Sequence, residues 1–340
     1  MDNAVNVAIL GCGYWGINYV RIFNELPESK VAVVCDQRAE CLERARQKFP
    51  NIALATEIDE ALGSGEVDAA VVCTEAAAHY AIAFRCLEKG IPVLVEKPMT
   101  TTVHDAETLV DLAHAKKKTL MVGHTFLYNP GVQKVKSYIE QNGLGQIYYL
   151  YALRTNLGPI RKDVSALWDL APHDVSIFNY LLNSTPEWIS AIGAKVLRNS
   201  REDVGFITLE YPGDIVGHIH VSWADPNKVR EVVVVGSNKR IVFNDLNASE
   251  QVRVFEKGVA PASCGAPNYG EYLFQMRDGD IISPKIEPGE PLKNQASHFL
   301  KCVREHQRPL TDGEEGLEVV KVMEAVDRSL AQRGAPVALS

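Results

Sequence analysis

Two hydrophobic periodicities divide this chain. In the first third, short apolar runs alternate with stretches of helical spacing. "VNVAIL" (5–10) suits a buried parallel strand, and "INYVRIFNEL" follows with Ile17, Val20, Ile22, Phe23 and Leu26 on one helical face. "KVAVVCD" (30–36) and "VDAAVVCT" (67–74) predict further strands, and "RAECLERARQKF" and "AAAHYAIAFRCLEKG" predict helices, the second ended by Gly90. "IPVLVEKP" (91–98) and "TLMVGHTF" (119–126) complete the strands, with "TVHDAETLVDLAHAKKK" helical between them. This alternation predicts a doubly wound parallel sheet over residues 1–123, in an α/β chain.

From residue 124 onward the pattern becomes strand-rich. "IYYLYALRTNLG" (147–158), "EWISAIGAKVLR", "VGFITLEYPGDIVGHIHVSWAD", "VREVVVVGSNKRIVFND" and "EQVRVFEKG" predict strands running in hairpins. Residues 294–306 and 314–331 predict closing helices, and "YLFQMRDGDIISPKIEPGEPLKN" a long ordered loop. Residues 124–340 are therefore read as a second domain.

The first strand ends in chemistry. Gly11, Gly13 and Gly16 fit Gly-x-Gly-x-x-Gly, with Tyr14 and Trp15 between the last two glycines. Gly11 allows a tight turn, Gly13 lets a diphosphate approach the backbone, and Gly16 lets helix and strand pack closely. The diphosphate then meets the helix N-terminus. Asp36, 20 residues after Gly16, ends the second strand where a ribose hydroxyl would sit. A carboxylate there repels a 2′-phosphate and favours NAD. Arg38 keeps NADP as the alternative, since it can meet that phosphate, stack on adenine or remain solvated. The ends of the later strands place Thr74, Glu96, Lys97 and His124 on the same ligand-binding edge. Lys97 there is a compact cation with three donors, able to bind a reacting oxygen, and Glu96 can position it. The alternative is a strand end that has reached water.

Composition narrows the classes. The chain has 340 residues, 46% hydrophobic and 23% charged, with a net charge of −8. That sign disfavours nucleic acid. No apolar stretch approaches the roughly 20 residues of a membrane span. Seven cysteines, at 12, 35, 41, 73, 86, 264 and 302, form no Cys-x-x-Cys pair. Neither a disulfide framework nor a metal site is expected. The opening residues run straight into the first strand, so a cytoplasmic chain without a signal peptide is expected.

"ALWDLAPHDVSIFNYLL" (166–182) sets Asp169 and His173 four apart, on one face of a helix that Pro172 begins or kinks. A carboxylate beside an imidazole orients it and favours its protonated form. The alternative is a buried histidine with Asp169 as a helix cap. Arg154, Asn156, Arg161 and Lys162 suit a carboxylate or diphosphate as well as they suit loop charges. Tyr128 and Asn129 follow a strand end where a sugar pocket would lie.

Gly-x-Gly-x-x-Gly, Glu96-Lys97-Pro98 and Asp169-x-x-x-His173 together resemble the glucose-fructose oxidoreductase / inositol dehydrogenase / MocA family, across essentially the whole chain. "GHTFLYNP" and "LRTNLGPIRKDVSALWDLAPHD" look most like members acting on nucleotide-linked sugars, of the UDP-N-acetylglucosamine (or uronate) 3-dehydrogenase type. The resemblance implies a Rossmann domain and a C-terminal α/β domain with a large open mixed, mostly antiparallel sheet, used for homodimer or homotetramer formation. It implies that Lys97, Asp169 and His173 are catalytic. It implies cofactor contacts at Gly11, Gly13, Tyr14, Trp15, Gly16, Asp36, Arg38, Thr74, His79, Glu96 and Lys97. Sugar contacts would come from Lys97, Tyr128, Asn129, Arg154, Asn156, Arg161, Asp169 and His173. Two departures stand out. Glu75-Ala76-Ala77-Ala78 replaces the family's usual Pro-Pro or Pro-Asn before His79, and Asp174 follows His173 directly, its role open. The expected activity is hydride transfer between NAD and a secondary hydroxyl of a sugar, at the 3-position of a nucleotide sugar, with a free polyol such as an inositol as the alternative. A Rossmann protein that senses NAD(H) or a sugar without turnover is the rival from another class.

Overall fold

A computed structural model gives the fold and describes residues 4–339 other than 64, 159, 162, 198, 199 and 262–273. Along the chain come β1 (Val5–Leu10), α1 (Gly16–Glu25), β2 (Ser29–Cys35), α2 (Ala39–Lys48), β3 (Ala53–Ala55), α3 (Ile58–Gly63), β4 (Ala69–Val72), α4 (Ala76–Glu88), β5 (Val93–Val95), α5 (Val103–Lys116) and β6 (Leu120–Val122). A 3-10 turn at Thr125–Tyr128 precedes α6 (Pro130–Glu140), β7 (Ile147–Thr155), α7 (Ala166–Leu182), β8 (Trp188–Ala194), β9 (Val204–Tyr211) and β10 (Ile215–Ser222). Then follow β11 (Val229–Gly236), β12 (Arg240–Asn244), β13 (Val252–Phe255), β14 (Gly258–Pro261), β15 (Phe274–Arg277), β16 (Ile281–Ile282), α8 (Pro291–Glu305), α9 (Gly313–Ala331) and β17 (Val337–Ala338).

The chain divides into two compact units, Met1–Tyr128 with Gly289–Glu324 and Asn129–Pro288 with Ala325–Ser340. The first holds a six-stranded parallel sheet ordered β3-β2-β1-β4-β5-β6. Its central strands are apolar on both faces because helices cover both: Val7, Ala8, Ile9 and all of β4 are buried. The order reverses between β1 and β4, which is where such sheets open a crevice at the strand carboxyl ends. β3 and α3 carry too few apolar positions to announce themselves in the sequence.

A boundary at residue 123 leaves Gly289–Glu324 in the second domain, whereas the fold returns this segment to the first. The reason is packing. Phe299 of α8 meets Phe23 of α1 edge to face, with ring centroids 6.4 Å apart, and Asn294 donates to the Tyr128 carbonyl.

The second unit holds a nine-stranded mixed sheet ordered β16-β13-β12-β11-β7-β10-β9-β8-β17, and β14 pairs with β15 separately. β8–β9–β10 and β11–β12–β13 run as hairpin series, but β7 lies between β10 and β11, parallel to the first and antiparallel to the second. Its sequence gives no sign of that insertion, because strand partners are not written in a strand's own pattern. The segment expected as a loop contributes β15 and β16, and its first residues, 272 and 273, lie outside the described residues. β7, β9 and β10 lay one face on α7, where Phe178 and Leu167 are buried. Along β9 and β10 the buried positions alternate with exposed ones, leaving Phe206, Val216 and His218 outward.

Candidate active site

In the first unit the dinucleotide turn is fixed by close backbone packing. Gly11 has φ +96°, and a Cβ there would lie 2.7 Å from the Cys73 carbonyl carbon and oxygen. A Cβ on Gly16 would lie 2.1 Å from the Gly11 carbonyl oxygen. Neither position tolerates a side chain. α1 then starts with no side-chain cap and no acid in its first turn. An uncapped helix N-terminus above a glycine turn fits a diphosphate.

Asp36, at the end of β2, is buried. Its Oδ2 accepts from the Cys12 amide at 2.7 Å, and its Oδ1 from the Arg38 amide at 2.9 Å. Arg38 adds Nε to Oδ1 and Nη2 to Oδ2, both at 3.1 Å. Burial pushes the Asp36 carboxyl up, but the bonds from Arg38 and the two amides outweigh it and hold the group below the ordinary carboxylate range. Arg38 is thus committed to Asp36.

In the first turn of α4, His79 is buried between two carbonyls, with Nδ1 2.8 Å from Pro98 O and Nε2 3.2 Å from Thr74 O. It ties the turn after β4 to the turn after β5, where the Lys97–Pro98 peptide is cis. Glu96 is buried just before it. Its Oε1 accepts from the Trp15 indole at 2.7 Å and the Tyr19 hydroxyl at 2.6 Å, and its Oε2 from the Lys97 amide at 3.1 Å. Burial raises the Glu96 carboxyl, and the bonds from Tyr19, Trp15 and the Lys97 amide, with the Lys97 charge, offset this only in part. His124 follows β6, the neighbour of β5, two residues past its end. Both its ring nitrogens are buried without a hydrogen-bond partner. Burial first, then the Lys97 charge, push its pKa down to about 3. His124 is therefore a neutral imidazole beside a cation. The Tyr128 ring lies 5.5 Å from that of His298, and its hydroxyl is 3.2 Å from Thr311 Oγ1. Since Thr311 donates to the Val122 carbonyl, it accepts from Tyr128.

In the second unit, α7 starts at Ala166 with Ser165 as its cap, Oγ accepting from the Trp168 amide at 3.3 Å. Asp169 lies in the first turn and Pro172 inside the helix, so Asp169 and His173 do share a helical face. Asp169 Oδ1 accepts from Arg161 Nη1 at 3.0 Å, and the same guanidinium holds Asp163. Asp174, the next residue round the helix, faces β7. There Arg154 forks onto it, Nε to Oδ2 at 2.9 Å and Nη2 to Oδ1 at 2.7 Å, both side chains buried. Asn129 caps α6, accepting from the Gly131 amide at 2.8 Å while its Nδ2 donates to Asp245. Asn156 follows β7, half-buried, its amide bonded to Ser222 O.

Residues 5–124 match the family model described as oxidoreductase family, NAD-binding Rossmann fold, and residues 132–242 match the GFO/IDH/MocA C-terminal domain. The chain belongs to the GFO/IDH/MocA oxidoreductase family. Over 93% of its length, and 94% of the relative's, it is 23% identical to UDP-N-acetylglucosamine 3-dehydrogenase of Acidithiobacillus ferrooxidans. Over 54% of its length it is 28% identical to inositol 2-dehydrogenase of Rhodococcus jostii, covering 51% of that protein. The fold matches the WlbA dehydrogenase of Bordetella pertussis, solved with NADH and UDP-GlcNAcA, at TM-score 0.80 and 22% identity, over 99% of each chain.

As a member of this family the chain carries an NAD-binding Rossmann domain; the glycine turn and Asp36 have the geometry that a dinucleotide needs. Tyr14 is 88% and Trp15 40% exposed at that turn, open to a ligand. Several other expected contact residues are already bonded within the fold: Glu96 to Trp15 and Tyr19, Tyr128 to Thr311, Asn129 to Asp245, and Arg154 to Asp174. Lys162 lies outside the described residues. Tyr19, which donates to Glu96, and Gln295, which donates to Tyr19, are not singled out by the sequence. Both sit in ordinary helical patterns, with no local signal to single them out.

Proposed function

We propose that this protein is an NAD-dependent dehydrogenase of a secondary hydroxyl on a sugar, with a nucleotide sugar oxidised at the 3-position as the preferred substrate. The observation that carries this is Lys97 at the carboxyl end of β5, in the unit whose β1–α1 turn fits a dinucleotide. The full-length likeness to a UDP-N-acetylglucosamine 3-dehydrogenase supports the nucleotide sugar. Bound NAD supplies the hydride acceptor. Lys97 binds the reacting oxygen and stabilises its alkoxide character. His173 takes the hydroxyl proton as the carbon–hydrogen bond gives up its hydride and the carbonyl forms. Asp169 orients His173 from one turn earlier and is itself held by Arg161. Arg154 has its fork on Asp174, and Arg161, half-buried, spans Asp163 and Asp169, so an anionic substrate group competes with those carboxylates for either guanidinium. The outward row of Tyr149, Phe206, Val216 and Ile192 supports a homodimer or homotetramer built on the open sheet face. Buried free thiols at Cys12, Cys35, Cys41, Cys73, Cys86 and Cys302 fit a reducing, cytoplasmic setting.

The test is NADH absorbance across UDP-sugars, inositols and free hexoses, with Lys97→Ala and His173→Ala beside the wild type. Turnover on a UDP-sugar is expected, falling by roughly 10²–10⁴-fold in each variant. Wild-type turnover in both variants would remove the assigned roles. Faster turnover of an inositol would move the substrate to free polyols. Binding without turnover anywhere on the panel would make the protein a sensor.

A further inference from the structure

Glu96 joins the turn that receives the dinucleotide to the residue that receives the reacting oxygen. Trp15 stands between Gly13 and Gly16 as the first residue of the α1 terminus, 40% exposed. An indole N–H can only donate, and this one donates inward, to Glu96 Oε1 at 2.7 Å. One turn along α1, Tyr19 is fully buried and donates to the same oxygen at 2.6 Å. The Tyr19 hydroxyl accepts from Gln295 Nε2 at 2.8 Å, which commits its hydrogen to Glu96. The other carboxyl oxygen accepts from the Lys97 amide at 3.1 Å. We propose that Trp15, Tyr19 and Glu96 form a positioning relay, which makes the placement of Lys97 depend on occupancy of the dinucleotide turn.

Three features support the relay. Its input, Trp15, is its one member open to solvent, and it sits where the diphosphate arrives. Its middle is a buried carboxyl held by neutral, directional donors, so a movement of one donor is felt by the oxygens it leaves behind. Its output is the backbone of Lys97 itself. Tyr19 and Glu96 touch neither ligand in this scheme; they act through Lys97. The inference rests on Lys97 being the residue that meets the reacting oxygen.

ADP-ribose is the probe, because it fills the turn without bringing a nicotinamide ring over Lys97. Binding is followed by isothermal titration calorimetry. Lys97 reactivity is followed by the rate of reductive methylation, read by mass spectrometry on the full-length protein, with Lys30, exposed on β2, as internal reference. In the wild type, saturating ADP-ribose is expected to change the Lys97 rate by about fivefold or more. Glu96→Gln keeps an acceptor for Trp15 and Tyr19 but sets an amide NH₂ against the Lys97 N–H. Trp15→Phe removes the input donor and keeps a ring. Each is compared at its own saturating ADP-ribose, whatever its affinity, and both are expected to lose the response of Lys97. A merely structural role would alter the baseline rate and leave the response intact. The proposal is overturned if either variant binds ADP-ribose and keeps the full response, or if wild-type Lys97 does not respond. The labelling needs no substrate, so failure of the sugar panel and failure of the relay are separate results.

Discussion

Glu96 and Asp174 are both buried carboxyls beside a residue assigned to chemistry, Lys97 in one unit and His173 in the other, and they are stabilised in opposite ways. Asp174 has a guanidinium forked onto both oxygens, each bond under 3 Å. Glu96 has an indole, a phenol and an amide, and burial holds its carboxyl above the usual range. A fork of opposite charge locks β7 to α7 and leaves little to adjust. Neutral donors leave the carboxyl near the edge of what burial allows, so small displacements change its energy. The first arrangement suits a fixed scaffold under His173, the second a part that responds.

The largest effect should come from breaking the lock. Arg154→Met leaves Asp174 buried without its cation and is expected to destabilise the fold by about 3–5 kcal/mol, as removal of one partner of a buried pair does. Adding Asp174→Leu should recover much of that loss, because two apolar residues then replace two charges. Chemical denaturation of the single and double variants measures both. If Arg154→Met unfolds at the wild-type denaturant midpoint, or if the double variant is no better than the single, Asp174 is not a lock and the contrast with Glu96 disappears.

The lock also shows where sequence reading stops. The glycine turn, Asp36 and the strand-end lysine were legible because their chemistry is local: a positive φ, a missing Cβ or a strand terminus belongs to a few adjacent residues. Asp169 and His173 were legible as a helical pair, since four residues bring side chains to one face. The sequence leaves Arg154 open between a substrate ligand and a loop charge, because nothing in it tells which way an arginine on β7 faces. Its partner lies 20 residues away on another element, next to His173 but turned from it by the helix. The distances grow in the Glu96 cluster. Tyr19 is 77 residues from Glu96, and Gln295 is 276 residues from Tyr19. The return of Gly289–Glu324 to the first unit is what brings Gln295 there, and no periodicity in α8 announces it.

A third buried acid extends the contrast to a carboxyl with still less support. Glu315, in the first turn of α9, has an Oε2 without a hydrogen-bond partner. Burial first, then the charges of Asp312 and Glu318, push its pKa up to about 8. The folded protein therefore holds this proton more tightly than the unfolded chain, whose glutamates titrate at about 4.3. Stability from this site is full below the unfolded value and is lost as pH rises from there through about 8. Glu315→Gln should leave thermal stability near wild type at acidic pH and raise Tm by roughly 5 °C in mildly alkaline buffer. A variant that is equally stable to the wild type at both ends would mean that Glu315 ionises freely.

The smallest expected effect bears directly on Glu96. Tyr19→Phe keeps the ring in the apolar interior and removes one hydroxyl, the donor 2.6 Å from Oε1 and the acceptor for Gln295. The loss should be about 1–3 kcal/mol, the cost of leaving buried polar atoms unpaired. It should also depend on pH. The Tyr19 bond lowers a carboxyl that burial has raised, so without it the Glu96 pKa rises further. The gap from the unfolded value widens, and stability declines more as pH climbs above that value. The variant should then lie closest to wild type in acid, where Glu96 is protonated in both folded and unfolded chains, and diverge toward neutrality. Urea midpoints across that range measure it. A loss constant with pH would assign the Tyr19 hydroxyl to its bond with Gln295 and not to the Glu96 carboxyl, and the contrast with Asp174 would lose this support.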